Sequence, residues 1–239
     1  LDPAPTRAIP PGPVHEITLN PNNLESLSPE LQGDILLARG SYAAAIRAYD
    51  KVTPRTASIW NKTGMAYHHL FAPEKALQDY KMAVRLDPHY AVAYNNMGAV
   101  YHGLEEYARA EKAYKTAIKY APQLAVAYCN LGTTYFAESK GRRGAEAYQK
   151  ALTLDPNVFS PQMLNKIEEG SARRQRVVTA YNLARVYAAA GRNPEAMAAL
   201  NHAVSAGFRD RKQLLQAKEF ASLRDTPEFR QILLSKDLQ

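Results

Sequence analysis

The chain is poor in several residues and patterns, and each shortage removes a class of chemistry. Among 239 residues there is one cysteine, Cys129, which excludes an intrachain disulfide framework and a cysteine-based zinc site. No apolar run approaches the roughly 20 residues that a membrane-spanning helix needs. There is no G-x-S-x-G, no phosphate-binding glycine loop, no H-E-x-x-H and no paired-carboxylate signature. Nothing in the sequence therefore supports an enzyme, no catalytic residue is nominated, and no cofactor or metal is implied. Tryptophan occurs once and phenylalanine six times, against 15 tyrosines, a bias that asks for a structural cause. The remainder is ordinary. The chain is 46% hydrophobic and 22% charged, with 30 Lys and Arg against 23 Asp and Glu for a formal charge of +7, so wholesale disorder is excluded.

Seven of the 15 prolines fall in the first 29 residues, including Pro10-Pro11-Gly12-Pro13. Proline lacks a backbone donor and clashes with the preceding turn, so this stretch cannot be helix. Residues 1–25 read as a flexible, proline-rich arm. The chain opens on Leu1, and a spacer of this kind commonly follows a removed signal. The reading leans towards an exported (periplasmic or extracellular) bacterial protein, with a cytoplasmic one as the alternative.

Pro54, Pro88, Pro122 and Pro156 are each 34 residues apart. With the last three set as position 32 of a 34-residue unit, residues 57–158 align without gaps. Position 8 is then Gly64, Gly98 and Gly132; position 11 is Tyr67, Tyr101 and Tyr135; position 24 is Tyr80, Tyr114 and Tyr148. Position 20 is Ala76 and Ala110, but Gly144 in the third of these copies, where a weaker helix is expected. Imperfect copies flank the three. Upstream, Gly33, Leu36, Ala45 and Tyr49 fit positions 8, 11, 20 and 24, and the early Pro54 predicts a short second helix. Downstream, Ala184, Tyr187, Ala196 and Leu200 fit the same positions, and Gly207 is a helix stop. Ten of the 15 tyrosines occupy positions 4, 11 or 24, so the tyrosine bias is read as packing.

This pattern resembles the tetratricopeptide repeat family, W-x2-L-G-x2-Y…A-x3-F…P over 34 residues, from about Ser26 to Phe208. The resemblance implies an all-α, right-handed α-solenoid of about five helix-turn-helix units, at 26–56, 57–90, 91–124, 125–158 and 177–208. Residues 159–176 stand outside the period as an insertion, whose Arg173, Arg174 and Arg176 extend the fifth unit's first helix backwards from Ser171. Residues 209–239 form a C-terminal helical cap, with a short helix about Leu214 and a last helix opened by Thr226-Pro227-Glu228. Stacked repeats need such an end, because no unit buries its apolar face alone.

In this family the first helix of each unit lines a concave groove at positions 2, 5, 6, 9, 12 and 13. Carried over, the candidate partner-binding residues are Asn61, Lys62 and His68; Asn95, Asn96 and His102; Asn130 and Phe136; and Tyr181, Asn182 and Arg185. Position 6 reads Lys62, Asn96, Asn130, Asn182, a partial asparagine ladder. An Asn amide both donates and accepts, so stacked amides can grip a peptide backbone, as in the repeat domain of O-linked N-acetylglucosamine transferases. Alternatively, Asn is simply the family's residue there. Val92, Val126, Phe136 and Tyr181 would add apolar contact. With Lys62 and Arg185 as the only formal charges of the groove, a clamp for an acidic chain terminus is disfavoured. The histidines diverge on the helix and lack a carboxylate companion, so they read as lining rather than as metal ligands. Cys129 reads as a small semi-buried residue.

The resulting expectation is a non-catalytic scaffold that binds a protein or peptide segment in its groove. A structural or self-assembling homo-oligomeric subunit is the alternative. An RNA-associated scaffold using the basic C-terminal third is a weaker one, because Arg173–Arg176 and Arg209–Lys212 are clusters without interleaved aromatics.

Overall fold

The structure is a computed structural model that describes Leu24, residues 26–159, residues 173–235 and Leu238. Except for Leu24, the proline-rich arm at 1–25 lies outside the described residues; so does the insertion between 160 and 172, with its expected cap at Ser171. Twelve α-helices are described: α1 (Pro29–Ala38), α2 (Tyr42–Tyr49), α3 (Ala57–His69), α4 (Pro73–Leu86), α5 (Ala91–Gly103), α6 (Tyr107–Tyr120), α7 (Ala125–Ala137), α8 (Gly141–Leu154), α9 (Arg173–Ala189), α10 (Asn193–Ala206), α11 (Arg211–Gln216) and α12 (Pro227–Leu234). No strand occurs among the described residues. The first ten helices pair as five hairpins, each stacked on the next. The first unit's second helix is short, as Pro54 predicts.

Each hairpin closes on the same contact. Gly33, Gly64, Gly98 and Gly132 lie beneath the rings of Tyr49, Tyr80, Tyr114 and Tyr148, all four fully buried. A Cβ on any of these glycines would come within 2.7 Å of a ring carbon, a distance no packed interior accommodates. The fifth unit solves the same problem with Ala184 and Leu200, both buried. Gly144 is a second such case, and its helix is not interrupted: α8 runs through it, and a Cβ there would meet the Phe136 ring at 2.6 Å. The missing side chain is the space that Phe136 fills.

The turns within the hairpins also repeat. At position 15 the chain adopts positive φ in every unit, at Gly40 (74°), Phe71 (55°), Glu105 (59°), Ser139 (61°) and Gly191 (72°). The following N–H returns to the carbonyl five residues back, as in Ala72 to Tyr67 (3.0 Å) and Lys140 to Tyr135 (2.8 Å). These are Schellman closures, which satisfy otherwise orphaned helix carbonyls. Phe71 stands in the left-handed region with its side chain 91% exposed, so no burial offsets the steric cost. Phe71→Gly should therefore stabilise the chain by about 1 kcal/mol, read as a higher urea midpoint at unchanged slope; a lower midpoint would contradict this account of the turn.

One residue breaks the pattern of the second helices. Position 23 is Ala48, Ala113, Ala147 and Ala199 in four units and Asp79 in the second. Asp79 is only 7% exposed, and its Oδ2 has no hydrogen-bond partner, nor does the hydroxyl of Tyr80 beside it. Burial pushes the Asp79 carboxyl up to about 6; nearby Arg55, itself ion-paired with Asp50, pulls it down and Asp50 adds to the rise.

The largest apolar cluster sits at the C-terminal end. Tyr148 and Phe159 (ring centroids 4.6 Å apart), then Tyr187, carry the core from unit four into unit five. α9 begins at Arg173, so the basic run does extend it backwards. Tyr181 stacks on Phe208 at 4.5 Å, and Phe220, Leu223, Phe229 and Ile232 continue the core into the cap. Gly207, at φ 119°, ends α10. The Thr226 hydroxyl accepts from the Phe229 N–H at 3.3 Å and so opens α12, the arrangement expected of Thr226-Pro227-Glu228.

Candidate functional site

The first helices of successive units touch one another, α1 with α3, α3 with α5, α5 with α7 and α7 with α9, whereas successive second helices make no comparable contact. Helices that lie closer together form the inside of a curved stack. The inner wall is thus built from α3, α5, α7 and α9, as the carried-over groove requires.

Several of the expected groove residues do not face it. Position 5 is buried between helices: Asn61 is 3% exposed, Asn95 7%, and Cys129 and Tyr181 are also buried. Phe136 is turned into the gap over Gly144, and Asn182 is buried and donates to the Val178 carbonyl at 2.8 Å. The groove role expected of Asn61, Asn95, Phe136, Tyr181 and Asn182 is therefore corrected: these side chains hold helices together. Cys129 is fully rather than partly buried, and burial pushes its thiol up to about 12, far from a reactive thiolate.

The asparagines have a definite partner scheme. Asn96 Nδ2 donates to Asn61 Oδ1 at 2.9 Å, and Asn130 Nδ2 donates to Asn95 Oδ1 at 3.0 Å. Position 6 of one unit thus bridges to position 5 of the unit before it. Much of the hydrogen-bonding capacity expected to grip a peptide backbone is spent between repeats. Asn96 and Asn130 themselves remain half-buried on the wall.

The two groove charges are also engaged. Lys62 Nζ lies 3.0 Å from Glu30 and 2.8 Å from Asp34, both on α1. Burial lowers its affinity for a proton, but those two carboxylates more than compensate and raise it. Arg185 meets Glu219 of the cap at 2.5 Å. Lys62 ties the second unit to the first and Arg185 ties the fifth unit to the cap, leaving the wall close to electrically neutral. Burial lowers the proton affinity of His68, with His69 adding to it, and burial also lowers that of His102, against Glu105. His102 Nδ1 lies 3.0 Å from Thr134 Oγ1, and His69 stacks on Tyr42 at 4.6 Å. Among the described residues no group of three or more His, Cys, Asp or Glu could hold a metal ion, and no helix is long and apolar enough to cross a membrane.

What the wall offers to solvent is a set of short uncharged side chains. Val92 is 41% exposed; Ser58, Met65, Ala99, Val126 and Val178 are half-buried between the amides. Such a surface can bury apolar area and offer a few amide contacts.

Sequence comparison matches family models described as TPR repeat at residues 74–105 and as tetratricopeptide repeat at residues 91–124 and 125–158. The last two ranges coincide with the third and fourth hairpins. No curated protein matches the sequence. Among solved structures, one titled crystal structure of MamA is 25% identical, covering 73% of this chain and 93% of its own, with a TM-score of 0.51. A MamA fragment from Desulfovibrio magneticus is 21% identical over 77% of this chain and 93% of its own, at 0.50. A thermophilic TPR protein from Thermus thermophilus is 20% identical over 82% and 97%, at 0.52. These last two share the fold. With the 34-residue frame, the glycine–tyrosine closures and the matched repeats in agreement, the chain is a tetratricopeptide repeat protein.

Proposed function

We propose that the chain is a non-catalytic protein-interaction scaffold that holds a segment of a partner protein along the wall of α3, α5, α7 and α9. The observation that carries this reading is the neutrality of that wall: Lys62 and Arg185 are spent on Glu30, Asp34 and Glu219, while Val92 and its neighbours stay accessible. The partner segment is accordingly weakly charged and presents apolar side chains, because an uncompensated carboxylate would lose its water without gaining a free cation. Val92, Val126 and Val178 supply apolar area, Met65 adapts to the occupant, and Asn96 and Asn130 contact it with whatever valence their inter-repeat bonds leave.

The test is a carboxylate placed on the wall. In affinity capture from the source cells with quantitative mass spectrometry, Val92→Asp should deplete the specifically recovered partners about tenfold or more, with an unchanged melting temperature. Recovery equal to wild type would refute the groove as the binding surface. Alanine at Asn96 and Asn130 is a poorer probe, since each change also removes a bond between repeats.

A further inference from the structure

The charge absent from the inner wall is concentrated on the outer helices. α4, α6 and α8 carry ten Lys and Arg against four Asp and Glu, whereas α3, α5 and α7 together carry one charged side chain, Lys62. Much of the outer charge is internally matched. Glu111 receives Lys115 at 2.7 Å, Arg143 at 2.8 Å and the Tyr135 hydroxyl at 3.1 Å. Burial disfavours the charged carboxylate, yet these hydrogen bonds hold it down at about 2.

Six exposed cations of α4, α6 and α8 remain outside any ion pair among the described residues: Lys75, which lies over the Tyr67 ring at 5.3 Å, Lys150 on α8, and the four cations Lys81, Arg85, Lys112 and Lys119. Lys81 and Arg85 stand four residues apart on α4, and Lys112 and Lys119 lie on the exposed face of α6. No carboxylate among the described residues lies within ion-pairing distance of any of them. Lys81 and Arg85 occupy positions 25 and 29 of the second unit; Lys115 and Lys119 occupy those positions in the third. The same positions are Gln149 and Thr153 in the fourth unit and Asn201 and Ser205 in the fifth. A cation at both of these positions is therefore confined to two neighbouring repeats, although α8 carries Arg142, Arg143 and Lys150 elsewhere on its surface. Lys112, Lys115 and Lys119 also border a shallow depression of about 450 Å³ together with Ala108, Thr116 and Glu111, the last already engaged by Lys115 and Arg143. Leu86, next to Arg85, is 53% exposed.

We infer that this outer face of α4 and α6 is a second docking surface, separate from the inner wall, that takes an acidic segment of a protein partner. Charge complementarity selects an anion, and two observations favour a polypeptide over a nucleic acid. Lys119 sits over the half-buried Tyr120 ring at 5.6 Å, so that ring is covered rather than open for a base to stack on. The exposed Leu86 beside Arg85 suits an apolar side chain among carboxylates, a mixture that a phosphate backbone lacks.

The experiment is fluorescence polarisation with the full chain and a labelled glutamate-rich peptide of about twelve residues carrying leucines, with oligothymidylate of matched charge as comparator. Lys112→Glu with Lys119→Glu should weaken peptide binding about tenfold or more, and Lys81→Gln with Arg85→Gln should weaken it severalfold. Lys51→Glu with Lys212→Glu alters net charge equally but lies elsewhere, and should change affinity by about twofold at most. Equal loss in that control would reduce the effect to net charge and overturn the assignment. Tighter binding of the oligothymidylate would make the face a nucleic-acid surface, and failure of the peptide to bind at low salt would leave the face without this role. Both latter outcomes also overturn it, and none depends on what the inner wall binds.

Discussion

Gly98→Ala should destabilise the chain by about 2–4 kcal/mol, although alanine is the better helix former by about 1 kcal/mol. The added Cβ would sit 2.6 Å from Tyr114 Cε1 and 2.7 Å from Cδ1. Tyr114 is 2% exposed, so its ring has nowhere to retreat. Gly103, at the end of the same helix, has no atom within 4 Å of where a Cβ would stand, and Gly103→Ala should leave stability unchanged or raise it slightly. The fifth unit indicates the compensation, with Ala184 and Leu200 in the places of glycine and tyrosine. Adding Tyr114→Leu to Gly98→Ala should recover part of the loss, with a coupling of about 1–2 kcal/mol in a double-mutant cycle. Denaturant titrations of the four proteins measure this. Strictly additive effects would mean that the glycine and the ring do not compete for the same space.

Asp79→Ala should stabilise the chain by about 2 kcal/mol at pH 7, with a gain that shrinks as pH falls. The folded carboxyl titrates at about 6, above an ordinary unfolded Asp near 3.9. Below about pH 4 it is protonated in both states and imposes no ionic penalty. As pH rises from about 4 to about 6, the unfolded chain releases the proton first and wild-type stability falls; above that range the penalty is full and constant. Arg55, Asp50, Tyr67 and Tyr80 all face this carboxyl, and Arg55 is already committed to Asp50. The difference between variant and wild type isolates Asp79 from Glu111, which has the opposite sign because its folded carboxyl is held at about 2. Melting temperatures from pH 4 to 8 should diverge as pH rises. Parallel curves would show that Asp79 is ionised in both states at the same pH.

The helices were legible in the sequence because their determinants are local and repeat. Gly98 above Tyr114 is a spacing of sixteen residues within one hairpin, and the same spacing recurs in its neighbours, so frame and closing contact could be read together. The short α2, the stop at Gly207 and the cap at Thr226 were legible for the same reason. The wall was only half legible. Position 6 lines it at Lys62, Asn96 and Asn130 but not at the buried Asn182, position 5 turns into the next helix, and a family-wide list of groove positions does not show that Asn61 accepts from Asn96. Lys62 and Arg185 looked like free groove charges because Glu30, Asp34 and Glu219 are about thirty residues away in sequence. Gly144 looked like a weakness when considered along α8 alone; its explanation, Phe136, comes from the partner helix.

The bridges between units also set where the solenoid can be lengthened. A second copy of residues 91–124, inserted after the first, would present its own Asn96 amide to the original Asn95 carbonyl, and its own Asn95 to Asn130. Its Tyr101 and Arg109 would meet the original Glu111 as Tyr135 and Arg143 do now. The third unit is thus compatible with itself on both faces, and the stack can grow there without a new interface. A copy of unit three inserted after unit four has no such match, because Cys129 and Ala145 stand where the incoming amide and guanidinium would need oxygen acceptors.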